Sequence, residues 1–330
     1  MQFTSLKWMC VVLTSSLVGC SQITPLPEHQ VALSQTYPLQ TQGNYQVLSW
    51  DNYVNDQQLI NLVDLALVSN QDLKIASLRI HEAQAAYGIQ RAELFPNIGG
   101  NAGMERNHVP ADLSYVGREM TTSQYSVGLG MNQWELDLWG RIRSLNEAAL
   151  QQFFAVESNV QAVRNSLIQQ TVLSYLTLSE LDKRIYFAQR SVQNYEKSVR
   201  LFKRRYEVGA SSKVEYMQAK TMLSNGQALV TQLEKSRALT ANYLVQLVGQ
   251  PTSLHQTDLD QVTFKTGVLH TGLPSDLLLN RADIRASEAM LKSKHANINA
   301  ARAAFFPRIT LTGSLGTASA DLDGLFKSGS

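Results

Sequence analysis

From Arg141 to Val208 the chain contains neither proline nor glycine, and apolar or small residues return at steps of three and four throughout, from Ile142, Leu145 and Ala149 to Val199, Phe202 and Tyr206. At 1.5 Å per residue this predicts a helix of roughly 100 Å, too long for a compact globular domain. Seven-residue spacing over that length predicts a coiled-coil-like element. Its seam mixes Thr171, Ser174 and Ala188 with the apolar residues, which suits packing against neighbours on two sides. Gly209 is placed as a left-handed cap. Ser212 and Glu215 have the spacing of a capping box that opens a return helix, and Gly249 with Pro251 closes it. The prediction is a long helical hairpin with a tip at Val208, Gly209 and Ala210.

Other segments alternate with a period of two. Tyr125, Val127, Leu129 and Met131 alternate with Ser126, Gly128, Gly130 and Asn132; Ile309, Leu311, Gly313 and Leu315 alternate with Thr310, Thr312, Ser314 and Gly316. This is the pattern of strands with one apolar and one polar or small face. Each strand region meets a helix-like run at a Phe-Pro pair: Phe95-Pro96, before a β-hairpin at about 97–135, and Phe306-Pro307. Proline removes a helix hydrogen bond and biases the residue before it toward extended geometry, so both pairs are read as helix-to-strand junctions. Strands of about ten residues or more are long enough to cross a bilayer obliquely.

The two junctions belong to one repeat. A shift of 211 positions places Asp72-Leu73-Lys74 on Asp283-Ile284-Arg285, Arg91-Ala92 on Arg302-Ala303, and Phe95-Pro96 on Phe306-Pro307, without a gap. The unit is helix, Phe-Pro break, strand hairpin, very long helix, tip and return helix.

The N-terminus carries Lys7, a short apolar run and then Leu17-Val18-Gly19-Cys20. The apolar run is that of an export signal and is too short for a transmembrane helix. The four-residue box resembles the bacterial lipobox, which implies cleavage between Gly19 and Cys20 and acylation of Cys20, with Cys10 leaving in the signal. Ser21 then implies release to the outer membrane. No other stretch approaches the roughly 20 apolar residues of a membrane helix, so a membrane crossing requires a closed barrel. The expected organisation is a signal peptide at 1–19 and a lipid anchor with an extended linker at 20–55. The first repeat follows at 56–250, with one continuous helical pattern from Asp56 to Pro96, the long helix at about 141–208 and the return helix at about 212–249. A second linker spans 251–273, and a second repeat begins at 274–330. A net charge of +2 gives no reason to expect a nucleic-acid partner.

The stretches WELDLWGRIRS, GLPSDLLLNRADIRASE and ARAAFFPRITLTGSLGTASADLDGLFKSGS closely resemble outer-membrane factors of the TolC/OprM type, and more narrowly the NodT-type efflux lipoproteins. The resemblance covers the chain from the lipobox onward. One departure is Ala282, where that family usually has proline at a helix start. The resemblance implies a mainly α fold with membrane β: outer-membrane β-barrel strands plus long coiled-coil-like helical hairpins, in a homotrimer whose protomers each give four strands to a twelve-stranded barrel. It implies a passive exit duct for drugs or other small molecules, with a periplasmic adapter at the tip Val208–Ala210 and an inner-membrane pump of the proton-driven type as partners. No cofactor is expected beyond the lipid on Cys20. One chain holds too few strands to close a barrel, and open edges are not tolerated in lipid, so several copies have to share it. The repeat and the resemblance together place a fourth strand, a second hairpin and the periplasmic gate beyond Ser330; the chain is read as the N-terminal part of a longer product.

Catalysis finds no support in the residues. The histidines at 29, 81, 108, 255, 270 and 295 lack metal-ligand spacing. Glu135 and Asp137 are read as sharing one face of a strand beside Trp134 and Trp139 at an aromatic barrel rim. Lys203, Arg204 and Arg205 sit where cations favour a helix C-terminus. The alternatives are a periplasmic adapter, a structural coiled-coil lipoprotein, or the outer-membrane duct of a type I secretion or metal-cation efflux system. The first would carry small β-domains; the second would lack glycine-rich alternating strands.

Overall fold

Asn70 divides the first helical pattern. The structure, a computed structural model, describes residues 24–26, 50–252 and 275–327. Gly19, Cys20 and most of the two linkers lie outside them. In place of one helix from Asp56, α1 (Gln57–Ser69) and α2 (Gln71–Ala92) meet at Asn70, whose ψ of 129° is extended. The cause is a contact remote in sequence. The buried Asn70 amide accepts the Leu73 N–H at 2.9 Å and donates to the carbonyl of Leu247 at 2.9 Å. Gly249, at φ +80°, ends the return helix at the same place. A Cβ there would stand 2.6 Å from the Ser69 carbonyl oxygen, so the two helix ends meet backbone to backbone.

The chain divides into two compact units. The one that includes this contact holds α1, the first part of α2, most of α3 (Arg141–Glu207), and α4 (Lys213–Val248). Its core is a cluster of Leu59, Val63, Tyr175, Leu178, Leu244 and Val248, each removed from water. Each of the aliphatic side chains contributes roughly 1.5–3 kcal/mol by burial. Asp56 caps α1 by accepting the Gln58 and Leu59 N–H groups, and Tyr175 donates its hydroxyl to the same carboxylate at 2.6 Å. Farther along, α3 and α4 pack antiparallel. Leu181, Ile185 and Ala188 meet Leu233, Asp182 pairs with Arg237, and Tyr206 stacks on Tyr216 with ring centroids 6.1 Å apart.

The other unit holds the end of α2, the start of α3, most of α5 (Ala282–Ala303) and three strands: β1 (Ile98–Val109), β2 (Met120–Glu135) and β3 (Thr310–Ser319). The sheet is antiparallel, in the order β1-β2-β3, so β2 is central and the outer edges of β1 and β3 are unpaired within the described residues.

Candidate functional site

The register sorts the sheet into two unlike faces. Rungs Ile98–Met131–Gly313, Gly100–Leu129–Leu315, Ala102–Val127–Thr317 and Met104–Tyr125–Ser319 share one face. The intervening rungs, Gly99–Gly130–Ser314, Asn101–Gly128–Gly316 and Gly103–Ser126–Ala318, share the other. The first face is apolar yet open to the surroundings: Ile98 is 67%, Leu129 59% and Leu315 82% exposed. A sheet in water buries such a face; one that leaves it outward suits a hydrocarbon surround. The opposite face is small and polar. A Cβ on Gly316 would lie 2.6 Å from the Val127 carbonyl oxygen, so the middle rung closes on bare backbone.

A bulge keeps the faces consistent to the strand's end. Met131 pairs with Gly313, but the next paired residue on β2 is Trp134, opposite Leu311, and Gln133 adopts φ +54°. The shift reverses parity, as a bulge does. Trp134 therefore joins the apolar face, where unbroken alternation would have put Gln133.

Beyond Glu135 the strand gives way to α3 through a set of polar contacts. Here the expectation for Glu135 and Asp137 is corrected: only Glu135 belongs to β2, and Asp137 lies past its end. The Glu135 carboxylate accepts two hydrogen bonds from the Arg141 guanidinium, at 2.8 and 2.6 Å, and this pairing raises the Arg141 pKa. Asp137 accepts the Ile142 and Arg143 N–H groups at 3.0 and 2.8 Å and so caps α3, where the helix dipole favours a negative charge. Neither carboxylate is placed as an acid–base pair; both fasten strand to helix.

The Phe-Pro pairs end their helices by the same turn. Phe95 N–H donates to Ala92 at 3.0 Å, and Phe306 N–H to Ala303 at 3.2 Å; each donor precedes a proline and each acceptor closes its helix. Pro96 and Pro307 then lead into β1 and β3. The surroundings differ: Phe306 stacks on Trp139 at 4.8 Å between centroids, while Phe95 is exposed. Trp139 also donates its indole N–H to the Pro307 carbonyl at 3.0 Å. Sequence reasoning placed Trp139 in a girdle and missed this role, for which the only signal was its place in WELDLWG.

At the far end of α3, Gly209 takes φ +74°. Ala210 N–H donates to the Arg205 carbonyl at 2.8 Å and Gly209 N–H to that of Tyr206 at 3.0 Å, which is a Schellman closure. Val208 is exposed at this turn, and the Arg205 guanidinium donates to the Ala210 carbonyl at 3.4 Å. Lys203 lies 3.8 Å from Glu207 one helical turn on. Ser212 and Glu215 form the capping box that opens α4. Beside it runs an open, largely apolar groove of about 720 Å³ lined by Lys213, Val214, Met217, Gln218, Thr221 and Met222. Among the described residues no group of three or more His, Cys, Asp or Glu side chains is placed to hold a metal ion, and no helix is long and apolar enough to cross a membrane.

Residues 62–250 and 273–330 match the family of outer membrane efflux proteins. The chain is 37% identical over 341 residues to the solvent efflux pump outer membrane protein SrpC of Pseudomonas putida, covering 100% of this chain and 72% of that protein. Its fold is similar to the crystal structure of a membrane protein from Pseudomonas aeruginosa, with a TM-score of 0.82 and 34% identity over 94% of this chain and 70% of that one. It is also similar to the open state of the MtrE outer membrane channel of Neisseria gonorrhoeae, with a TM-score of 0.79 and 34% identity over 94% of this chain and 69% of that one.

Proposed function

Because the chain belongs to the outer membrane efflux protein family, we propose that three copies close their strands into one shared barrel and that their helices line a periplasmic duct leading to it. The protein resides in the outer membrane and serves efflux. The observation that carries the shared barrel is the two-faced sheet, apolar and exposed on one side, small and polar on the other, with edges at β1 and β3 that are unpaired among the described residues. In lipid every backbone N–H and C=O needs a partner, and other copies of the same strands supply one without a new fold.

The polar face then lines a water-filled lumen, and small molecules pass by diffusion, with no catalysis. The tip at Val208, Gly209 and Ala210, with the apolar groove beside it, meets a periplasmic adapter, which joins the duct to an inner-membrane pump. Acylation of Cys20 adds a lipid tether. The test is cross-linking of the native protein in its outer membrane, followed by mass determination before and after heating. A three-copy species is expected, which heat converts to single chains where no cross-linker was added and leaves intact where it was. A single-chain species at every cross-linker concentration would overturn the shared barrel.

A further inference from the structure

The last turns of α5 hold a piece of chain from far upstream. Thr24 donates its hydroxyl to Asn299 Oδ1 at 3.0 Å and accepts from Arg302 Nη1 at 2.8 Å. Asn299 Nδ2 donates in turn to the Thr24 carbonyl at 3.2 Å. The amide thus grips both the side chain and the backbone of Thr24, which fixes the direction of the segment as well as its position. Asn299 is 4% exposed, and a buried amide within a helix is unfavourable unless both ends are paired.

The internal repeat isolates the asparagine. The 211-position shift sets Arg91 on Arg302 but Gly88 on Asn299. The arginine belongs to the repeat and the amide does not. A Cβ built on Gly88 would meet nothing within 4 Å, so among the described residues no segment lies on the first copy at that place. Asn299 is a departure from the repeat, and Thr24 accounts for it.

We propose that Asn299 and Arg302 are a docking site for the N-terminal strap of this chain, and that this latch sets where the lipid enters the bilayer. The second half rests on the acylation of Cys20 proposed above. Four residues from Thr24 back to Cys20 span at most about 14 Å. A free tether of the thirty residues from Cys20 to Trp50 would instead range over roughly 30 Å. From the latch, α5 leads at once through Phe305, which is 91% exposed, and Phe306-Pro307 into β3 and its apolar face. A short tether therefore delivers the acyl chains at the helix-side rim of the sheet.

The test uses the full chain in its native outer membrane. Thr24→Cys is combined with Asn299→Cys and, as a comparison, with Asn297→Cys, an exposed position on the same helix. A short bis-methanethiosulfonate links the thiols, and peptide mass spectrometry reads the linked pair and the Cys20 fragment separately. Linkage of 24 to 299 at least ten-fold above 24 to 297 is expected; equal linkage would overturn the latch. Thr24→Val, which keeps the shape and removes the hydroxyl, is expected to speed proteolysis of the segment before Trp50 several-fold while heat-modifiable migration stays unchanged. An unchanged proteolysis rate would likewise overturn it. An acyl-modified Cys20 fragment supports the lipid placement; an unmodified one overturns that half and the acylation together, while the linkage ratio still decides the latch.

Discussion

The indole of Trp139 stacks on the ring of Phe306 with centroids 4.8 Å apart and planes inclined by 22°, and donates to the carbonyl of the next residue, Pro307. Trp139 thus clamps the segment after β2 to the segment before β3, where one stretch of chain passes from strand to helix and the other from helix to strand. Trp139→Phe keeps a stack and loses the hydrogen bond, at about 1 kcal/mol; Trp139→Ala loses both, at about 2 kcal/mol. The expected order of thermal midpoints for loss of the heat-resistant species is wild type, then Phe, then Ala. Equal midpoints for Phe and Ala would mean that the stack contributes nothing.

The middle rung of the sheet makes a second prediction. Gly316→Ala puts a methyl 2.6 Å from the Val127 carbonyl oxygen and 2.7 Å from Gly128 Cα, so backbone has to move. Gly313→Ala, on the same strand, meets nothing within 4 Å. Gly316→Ala is expected to lower the fraction of protein that reaches the folded outer-membrane form several-fold, and Gly313→Ala to leave it near wild type. Fractionation followed by electrophoresis of unheated samples measures both.

Between α3 and α4, Asp182 and Arg237 form a bidentate ion pair whose carboxylate side chain is 7% exposed. Hydrogen bonding to Asp182 raises the Arg237 pKa. Asp182→Ala strands a guanidinium that is still partly open to water, so a loss of about 3 kcal/mol is expected, at the low end for buried pairs. The double variant Asp182→Leu with Arg237→Leu removes both charges and is expected to lose less. A double-mutant cycle by thermal unfolding checks the order.

At the tip the pH dependence has a definite sign. Glu215 accepts from the Ser212 N–H at 2.9 Å and the Ser211 hydroxyl at 2.8 Å, and these bonds, the backbone one foremost, hold its pKa below the ordinary carboxylate value. The stabilisation is present above the unfolded value of about 4.3 and is lost as pH falls through the lower folded value. Amide protection factors in the first turn of α4 are expected to drop in that window. Glu215→Gln is expected to abolish the drop.

These residues also mark how far the sequence could be read. The tip was legible, because Gly209 and the Ser212–Glu215 spacing act through neighbours in the chain. Strand alternation was legible for the same reason. The break at Asn70 was not, since the carbonyl that fixes its amide belongs to Leu247, and no local pattern announces a partner that remote. Nor was the bulge at Gln133, which β3 makes visible by pairing Leu311 with Trp134. Asp137 looked like a strand residue by spacing and is a helix cap by geometry.

The central claim, that this sheet is a stretch of barrel wall with lipid on one side and water on the other, has a direct test. Single cysteines at Ser126, Val127, Leu129, Gly130, Asn132 and Trp134 are labelled with a charged, membrane-impermeant maleimide in native outer membranes. Labelling is expected at 126, 130 and 132, protection at 127 and 129, and protection again at 134, where the bulge has reversed the parity. Uniform labelling along the strand, or labelling at 134 with protection at 132, would contradict it.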